Sequence, residues 1–338
     1  MIKKALLKLV EKKDLTEQQM IDTMEFIMEG RASPAQIAAF LIALRMKGET
    51  ISEITGAARV MRKKAIKINV NTEGPIVDTC GTGGDGKHTF NVSTAVAFVV
   101  AGAGLNVAKH GNRSVSSKCG SADVLEELGI KLDIPPKSVA ECIEEIGIGF
   151  LFAQRLHPAM KYAASARSEI GLRTIFNILG PLTNPASATA QLLGVYDRSL
   201  ISPLAYVLKN LGSKGALVVH GEGGYDEITI TGKSYISELK QGRVLEYEID
   251  PGEFGLNIAS SQEVKGGDIK TNADILMKIL GGKEKGTKYD MVLLNAAAAF
   301  KAASLVNDFK DGILLARKSI DSGKALEKLE KLIEYTNS

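Results

Sequence analysis

At Asn71 the apolar pattern of this chain changes period, and that change constrains the fold more than any other feature. Residues 1–67 read as helices only. Ile2, Ala5, Leu6, Leu9 and Val10 recur at helical spacing, as do Met20, Ile21, Met24, Ile27 and Met28. Thr16-x-x-Gln19, Ser33-Pro-Ala-Gln36 and Thr50-x-x-Glu53 are capping-box starts, and Gly30 and Gly48 sit where helix C-termini favour glycine. After Asn71, short apolar runs alternate with longer helical ones, the pattern of a mostly parallel sheet covered by helices. The fold class is therefore α/β, with a small all-helical domain over 1–70 and a larger α/β domain over 71–338. The stretch from Pro158 to Phe176 is helical again and ends in the breaker cluster Gly180-Pro-Leu-Thr-Asn-Pro185, so 158–185 is expected to rejoin the N-terminal helices.

The expected strands are Ile76–Asp78, Leu105–Ala108, Phe150–Ala153, Gln191–Val195, Ala216–His220, Ile228–Thr231, Val244–Ile249 and Met291–Leu294. Helical runs lie between them at Ser121–Leu128, Ser138–Ile146 and Pro203–Leu211, and Asp308 to Tyr335 reads as an amphipathic helix pair.

Two polar loops follow the first two strands. Asp78-Thr-Cys-Gly-Thr-Gly-Gly-Asp85 leaves Ile76-Val77 and enters the apolar helical run Val92 to Ala101. A glycine-rich turn there exposes backbone N–H groups at a helix N-terminus, which suits phosphate. It is neither the dinucleotide fingerprint nor the P-loop, and taken alone it also fits a tight strand-to-helix turn. Asn91-Val-Ser-Thr94 adds hydroxyls at that helix start. The second loop, Lys109-His-Gly-Asn-Arg-Ser-Val-Ser-Ser117, supplies lysine, arginine and three serines within nine residues, donors that phosphate oxygens accept. Farther on, Tyr225-Asp226-Glu227 follows two glycines. An acidic pair beside basic, glycine-lined loops points to Mg²⁺ clamping a polyphosphate.

Bulk properties exclude other classes. A net charge of +3 is too small to imply nucleic acid or membrane, and Arg59 to Lys67 has no interleaved aromatics. No stretch approaches the roughly 20 apolar residues that span a bilayer. The basic, apolar N-terminus is interrupted too soon for a signal peptide and reads as an amphipathic helix. Cys80, Cys119 and Cys142 form neither a disulfide framework nor a metal spacing, as expected of reduced thiols in the cytoplasm. The chain has no Gly-x-Ser-x-Gly elbow, no Cys/His triad pattern and no histidine cluster. Its chemistry is expected to run by positioning and electrostatics, without a covalent intermediate.

The motifs together resemble anthranilate phosphoribosyltransferase. They are Asp78 to Gly86, Phe90-Asn-Val-Ser-Thr94, Lys109-His-Gly-Asn-Arg-Ser114, Gly120-Ser-Ala-Asp-Val-Leu-Glu-Glu-Leu-Gly129, His157-Pro-Ala-Met-Lys-Tyr162, Gly171-Leu-Arg-Thr-Ile-Phe-Asn-Ile-Leu-Gly180 through Pro185, and Gly224-Tyr-Asp-Glu227. The resemblance covers nearly the whole chain in order. It implies the nucleoside phosphorylase/phosphoribosyltransferase type of fold, a homodimer through the helical part, and phosphoribosyl transfer from phosphoribosyl pyrophosphate (PRPP) to the anthranilate amine in tryptophan biosynthesis.

Carried over by position, the resemblance assigns PRPP contacts to Gly81, Gly84, Asp85, Thr89, Asn91, Val92, Ser93 and Thr94. It assigns further ones to Lys109, His110, Gly111, Asn112, Arg113, Ser114, Val115, Ser116, Ser117 and Ser121. Ser93, Asp226 and Glu227 would hold two Mg²⁺ ions per monomer. Gly81, Asn112, His157 and Arg167 would line the anthranilate path, with Arg167 meeting the carboxylate. The catalytic proton acceptor, His110 or a water, stays open. Ser165 departs from the family's pattern where proline is expected, which would loosen the helix carrying Arg167. A pyrimidine nucleoside phosphorylase shares this fold but uses free phosphate, and the Asp226-Glu227 pair favours the transferase. A nucleic-acid-binding relative should carry a stronger basic excess.

Overall fold

The computed structural model describes residues 1–114 and 119–338. Four helices come first: α1 (Ile2–Val10), α2 (Glu17–Met28), α3 (Pro34–Lys47) and α4 (Ile51–Lys64). All three expected capping boxes form, at Thr16/Gln19, Ser33/Gln36 and Thr50/Glu53. Each satisfies two orphan amides, which is why α2, α3 and α4 start where the sequence indicates.

Alternation then begins with β1 (Ile76–Gly81), α5 (Val92–Gly102), β2 (Asn106–Gly111) and α6 (Ser121–Glu127). Next come α7 (Pro136–Glu141), which runs on as a π-turn, β3 (Ile148–Phe152), α8 (Ala153–Leu156), α9 (Lys161–Ile170) and α10 (Phe176–Leu179). The chain continues through β4 (Ala190–Gly194), α11 (Ile201–Asn210), β5 (Gly215–Gly221), β6 (Ser234–Lys240) and β7 (Arg243–Ile249). It ends with α12 (Ile269–Leu280), α13 (Thr287–Ala302), α14 (Phe309–Asp321) and α15 (Lys324–Asn337).

The seven strands form one sheet in the order β3-β2-β1-β4-β5-β6-β7, parallel from β3 to β5 and antiparallel beyond. One face, with Val77, Val107, Leu192, Leu217 and Val219, packs with α5 and α12–α15. The other, with Cys80, Leu193, Val195, Ala216 and Val218, packs with α11 and the N-terminal helices. Helices α9 and α10 pack against α2, α3 and α4 and share that second core through Ala163, Ala166, Phe176 and Leu179. Ser165 sits within an unbroken α9, its hydroxyl donating to Glu169 at 2.6 Å, so serine here does not loosen the helix.

Three expectations fail. Met291–Leu294 lies inside α13, fully buried, because an apolar run enclosed on every side carries no period to distinguish helix from strand. Ile228–Thr231 pairs with no strand among the described residues; Ile228 instead exchanges hydrogen bonds with the Asn295 side chain of α13. Strand β6 is absent from the expected set, since Ser-Tyr-Ile-Ser-Glu-Leu-Lys hides a glutamate that Lys301 on α13 and the Tyr247 hydroxyl make tolerable inside the fold.

Candidate active site at the ends of the parallel strands

The chain goes from β1 outward to β2 and β3, then returns to place β4 on the other side of β1. Ligands of open α/β sheets bind at such a reversal, beyond the C-terminal strand ends. Here those ends are Gly81 and Gly194, which are register partners. A side chain on either is barred by Asp226: a Cβ at Gly81 would meet Asp226 Oδ2 at 2.5 Å, and one at Gly194 would overlap the Asp226 carbonyl oxygen. Asp226 and Glu227 reach this point because Gly221 and Tyr225 close a turn with amide–carbonyl bonds of 2.9 and 3.1 Å. Gly223 and Gly224 within it have φ of +85° and +94°, open to glycine at little cost.

The glycine loop wraps the carboxylates. The Gly83 amide donates to Asp226 Oδ2 at 2.7 Å and the Lys87 amide to Asp85 Oδ1 at 3.0 Å. Behind the loop, α5 begins at Val92, and Ser93 is tied to two strand ends. The Thr79 hydroxyl donates to the Ser93 carbonyl at 2.9 Å, and buried Lys109 donates to the Thr79 carbonyl at 2.7 Å and to Ser93 Oγ at 3.3 Å. Burial and the neighbouring Asp85 raise the Asp226 carboxyl to about 7. Burial and Asp226 push Glu227 well above the usual carboxylate range, opposed by Lys109. Two buried acids with a raised proton affinity are sites where positive charge is missing. Oxygen donors from Asp226, Glu227 and Ser93 suit a hard divalent cation, and the buried Asp85 Oδ2, with no hydrogen-bond partner among the described residues, adds to that demand.

Asp226, Glu227, Ser93 and the loop glycines Gly81, Gly83 and Gly84 line a cleft of 360 Å³ together with Lys109, His110, Asn112, Arg167 and Phe176. A second, more apolar cavity of 460 Å³ adjoins it and shares His110, Asn112, Arg167 and Phe176. His110 and His157 meet at the junction with Nε2 atoms 3.1 Å apart. The Gly180 carbonyl can only accept, so His110 Nδ1, 3.2 Å away, carries the hydrogen. His110 Nε2 is then the acceptor and His157 Nε2–H the donor. Burial holds both rings neutral, lowering His110 to about 3 and His157 to about 4. Half-buried Arg167 lies 5.1 Å over the Phe176 ring with no ion pair among the described residues, and burial lowers its pKa. It is a desolvated cation facing the junction of two cavities.

The helical-bundle domain of the glycosyl transferase family matches residues 3–65, and its a/b domain matches residues 73–326. The anthranilate phosphoribosyltransferase of Acetivibrio thermocellus is 54% identical over all of this chain and 97% of its own length. That of Thermus thermophilus, a crystal structure, superposes with a TM-score of 0.94 at 44% identity, covering 99% of each chain. The Saccharomyces cerevisiae enzyme in complex with PRPP and Mg superposes at 0.91, with 28% identity over 99% of this chain and 98% of its own.

The chain belongs to the anthranilate phosphoribosyltransferase family.

Of the positions that the family resemblance assigned, Gly81, Gly84, Asn91, Ser93, Lys109, His110, Gly111, Asn112, Arg113, Ser114, Ser121, Arg167, Asp226 and Glu227 line the first cleft. His157 lines the adjoining cavity. Asp85 stands behind the loop beside Asp226. Thr89 bridges to Lys265, away from the cleft lining. Val92 and Thr94 are buried at the start of α5, so their side chains face the core. Arg113 is ion-paired with Asp123 and Glu126. Val115, Ser116 and Ser117 lie outside the described residues.

Four residues that position the groups of this cleft were not singled out from sequence. Gly194 is one. Buried Asp78 accepts from the His110 amide at 3.1 Å and from Asn184 Nδ2 at 2.8 Å, and Asn184 also donates to the Ala108 carbonyl. Arg173 is the fourth, donating to the Gly84 carbonyl. Asp78, Asn184 and Arg173 stood in family-like motifs; Gly194 carried no sequence signal.

Proposed function

We propose that the two joined cavities carry out the family's reaction, transfer of the phosphoribosyl group of PRPP to the amine of anthranilate with release of pyrophosphate, in tryptophan biosynthesis. The observation that carries this reading is the shared wall: His110, Asn112, Arg167 and Phe176 border both a polar cleft with paired acids and a more apolar cavity. PRPP fits the first and an aromatic carboxylate the second. Ser93, Asp226 and Glu227 would hold two Mg²⁺ ions, which would neutralise the departing pyrophosphate.

The C1–oxygen bond breaks with oxocarbenium character, since the ribose ring oxygen shares the developing charge. Glycine-loop amides and Lys109 stabilise the leaving group electrostatically. Arg167 pairs with the anthranilate carboxylate and fixes the amine for attack. An aniline-type nitrogen is neutral near pH 7, so no base is required first. Both His110 ring nitrogens are engaged, and the proton released after attack passes to water.

A homodimer through the helical part cannot rest on the apolar stripes of α2 and α3. Met20, Met24, Ile27, Phe40 and Leu41 are fully buried within one chain, covered by the packed helices. Leu7, Val10 and Met46 remain, at 68%, 74% and 78% exposed on the adjoining α1 and α3, as the apolar surface for a second copy. No helix among the described residues is long and apolar enough to cross a membrane. A cytoplasmic location is supported by Cys80, Cys119 and Cys142, which form no disulfide among the described residues. The helical domain is taken as 1–70 joined by 158–185, with the α/β domain over 71–338. The direct test is loss of anthranilate fluorescence on mixing the protein with PRPP and Mg²⁺; persistence of the signal would overturn the assignment.

A further inference from the structure

The glycine loop is held from two sides by different kinds of group. From within the cleft, the Gly83 amide is held by Asp226. From behind, Arg173, which follows α9 and does not line the cleft, donates to the Gly84 carbonyl oxygen. Its guanidinium lies 4.2 Å over the Tyr196 ring and makes no ion pair among the described residues. Tyr196 is anchored in turn: its amide donates to Thr82 Oγ1 at 3.1 Å, and the Thr82 amide donates to the Gly194 carbonyl at 2.9 Å. Arg45 of α3 donates to the Arg173 carbonyl, tying the helical layer to the same point.

In a trans peptide the C=O and the following N–H point in opposite directions. Drawing the Gly84 carbonyl backward therefore turns the Asp85 N–H the other way, and that amide donates to no acceptor among the described residues. Gly83, Gly84 and Gly86 all have positive φ, between +65° and +73°, and glycine can leave that region without steric cost. Without an external hold, these peptides could flip and aim carbonyl oxygens at the anion.

We propose that Arg173 is a positioning residue for PRPP: by clamping the Gly84 carbonyl against the Tyr196 platform, it keeps the loop amides aimed at the polyphosphate. This rests on the reaction proposed above. It assigns the effect to one substrate, because Arg173 does not line the anthranilate cavity.

Steady-state kinetics on the full chain test it, with each substrate varied against saturating partner. Arg173→Ala should raise the KM for PRPP roughly five- to thirtyfold, the effect of losing one charged hydrogen bond at a partly exposed site. Anthranilate KM and the melting temperature should stay at wild-type values. Arg173→Lys should keep most of the defect, since an ammonium cannot stack and donate in one plane. Tyr196→Leu should shift PRPP KM in the same direction. An unchanged PRPP KM in Arg173→Ala, a parallel rise in both KM values with a lower melting temperature, or full function of Arg173→Lys would each overturn the clamp. If the wild-type protein consumed no anthranilate, the proposed reaction would fail instead. Calorimetric titration of wild type and Arg173→Ala with Mg²⁺–PRPP would still decide the clamp.

Discussion

Gly194 has no room for a side chain because the backbone carbonyl of Asp226 occupies the place of its Cβ. The end of β4 thus seats the acidic pair against the sheet, and a structural glycine sets the position of a chemical group. Gly194→Ala should push Asp226 out of place, destabilise the fold by about 1–3 kcal/mol, as overpacking does, and lower turnover. Urea unfolding and initial rates check it; a variant as stable and active as wild type would show that the contact is not tight.

Asp226→Asn combined with Glu227→Gln should abolish Mg²⁺-dependent turnover while the far-ultraviolet spectrum stays native. The two carboxylates are buried with raised proton affinity, so neutral isosteres relieve rather than add strain. Near wild-type kcat at limiting Mg²⁺ would refute the metal assignment.

Arg167→Ala should weaken anthranilate use by roughly 1.5–3 kcal/mol, the range for a hydrogen bond to a charged group. PRPP binding should barely change. The guanidinium has an aromatic ring beneath it and no ion pair among the described residues, which leaves its donors for a ligand. Anthranilate KM and kcat/KM within twofold of wild type would remove Arg167 from the carboxylate site.

Stability should fall on acidification because of the histidine pair. Burial lowers both rings from 6.5, His110 to about 3 and His157 to about 4, with Lys109 and Lys67 adding repulsion. Below 6.5 the unfolded chain binds protons that the folded one refuses, so stability is fully present above that pH and is lost as pH drops toward 4. By pH 5 the loss from His157 is about 2 kcal/mol. His157→Asn should flatten the dependence of melting temperature between pH 7 and 5; an equal slope in both proteins would contradict it.

Leu7→Glu with Val10→Glu should convert a dimer into a monomer without unfolding it, since both side chains already face solvent in the single chain. Light scattering at micromolar concentration reads this directly. A wild-type monomer would dispose of the dimer altogether.

The elements were legible wherever local chemistry decides. Capping boxes at Thr16, Ser33 and Thr50 and the amphipathic pair at the C-terminus depend on neighbours within four residues, and they appear where expected. The two polar loops announce an anion site in one dimension through their glycines and cations, but β1 and β2 run on to Gly81 and Gly111, three residues past their expected ends. Met291–Leu294 reads as a strand for the opposite reason. Its environment is set by α5, α14 and the sheet, and burial on all sides erases the periodic signal. Strand β6 is hidden because the ion pair that makes Glu238 acceptable comes from Lys301, far along the chain.

Fold class, phosphate-handling character and the residue types of the site follow from spacing, turn chemistry and donor inventory, all of which can be read along the sequence in one dimension. How those residues meet belongs to the tertiary structure. It placed Asp226 over two glycines from different strands, locked the tautomers of His110 and His157 through the Gly180 carbonyl, and buried the apolar stripes of α2 and α3 inside one chain. Each depends on groups distant in sequence brought within a few ångströms by the reversal of strand order between β1 and β4, and no local rule encodes that distance.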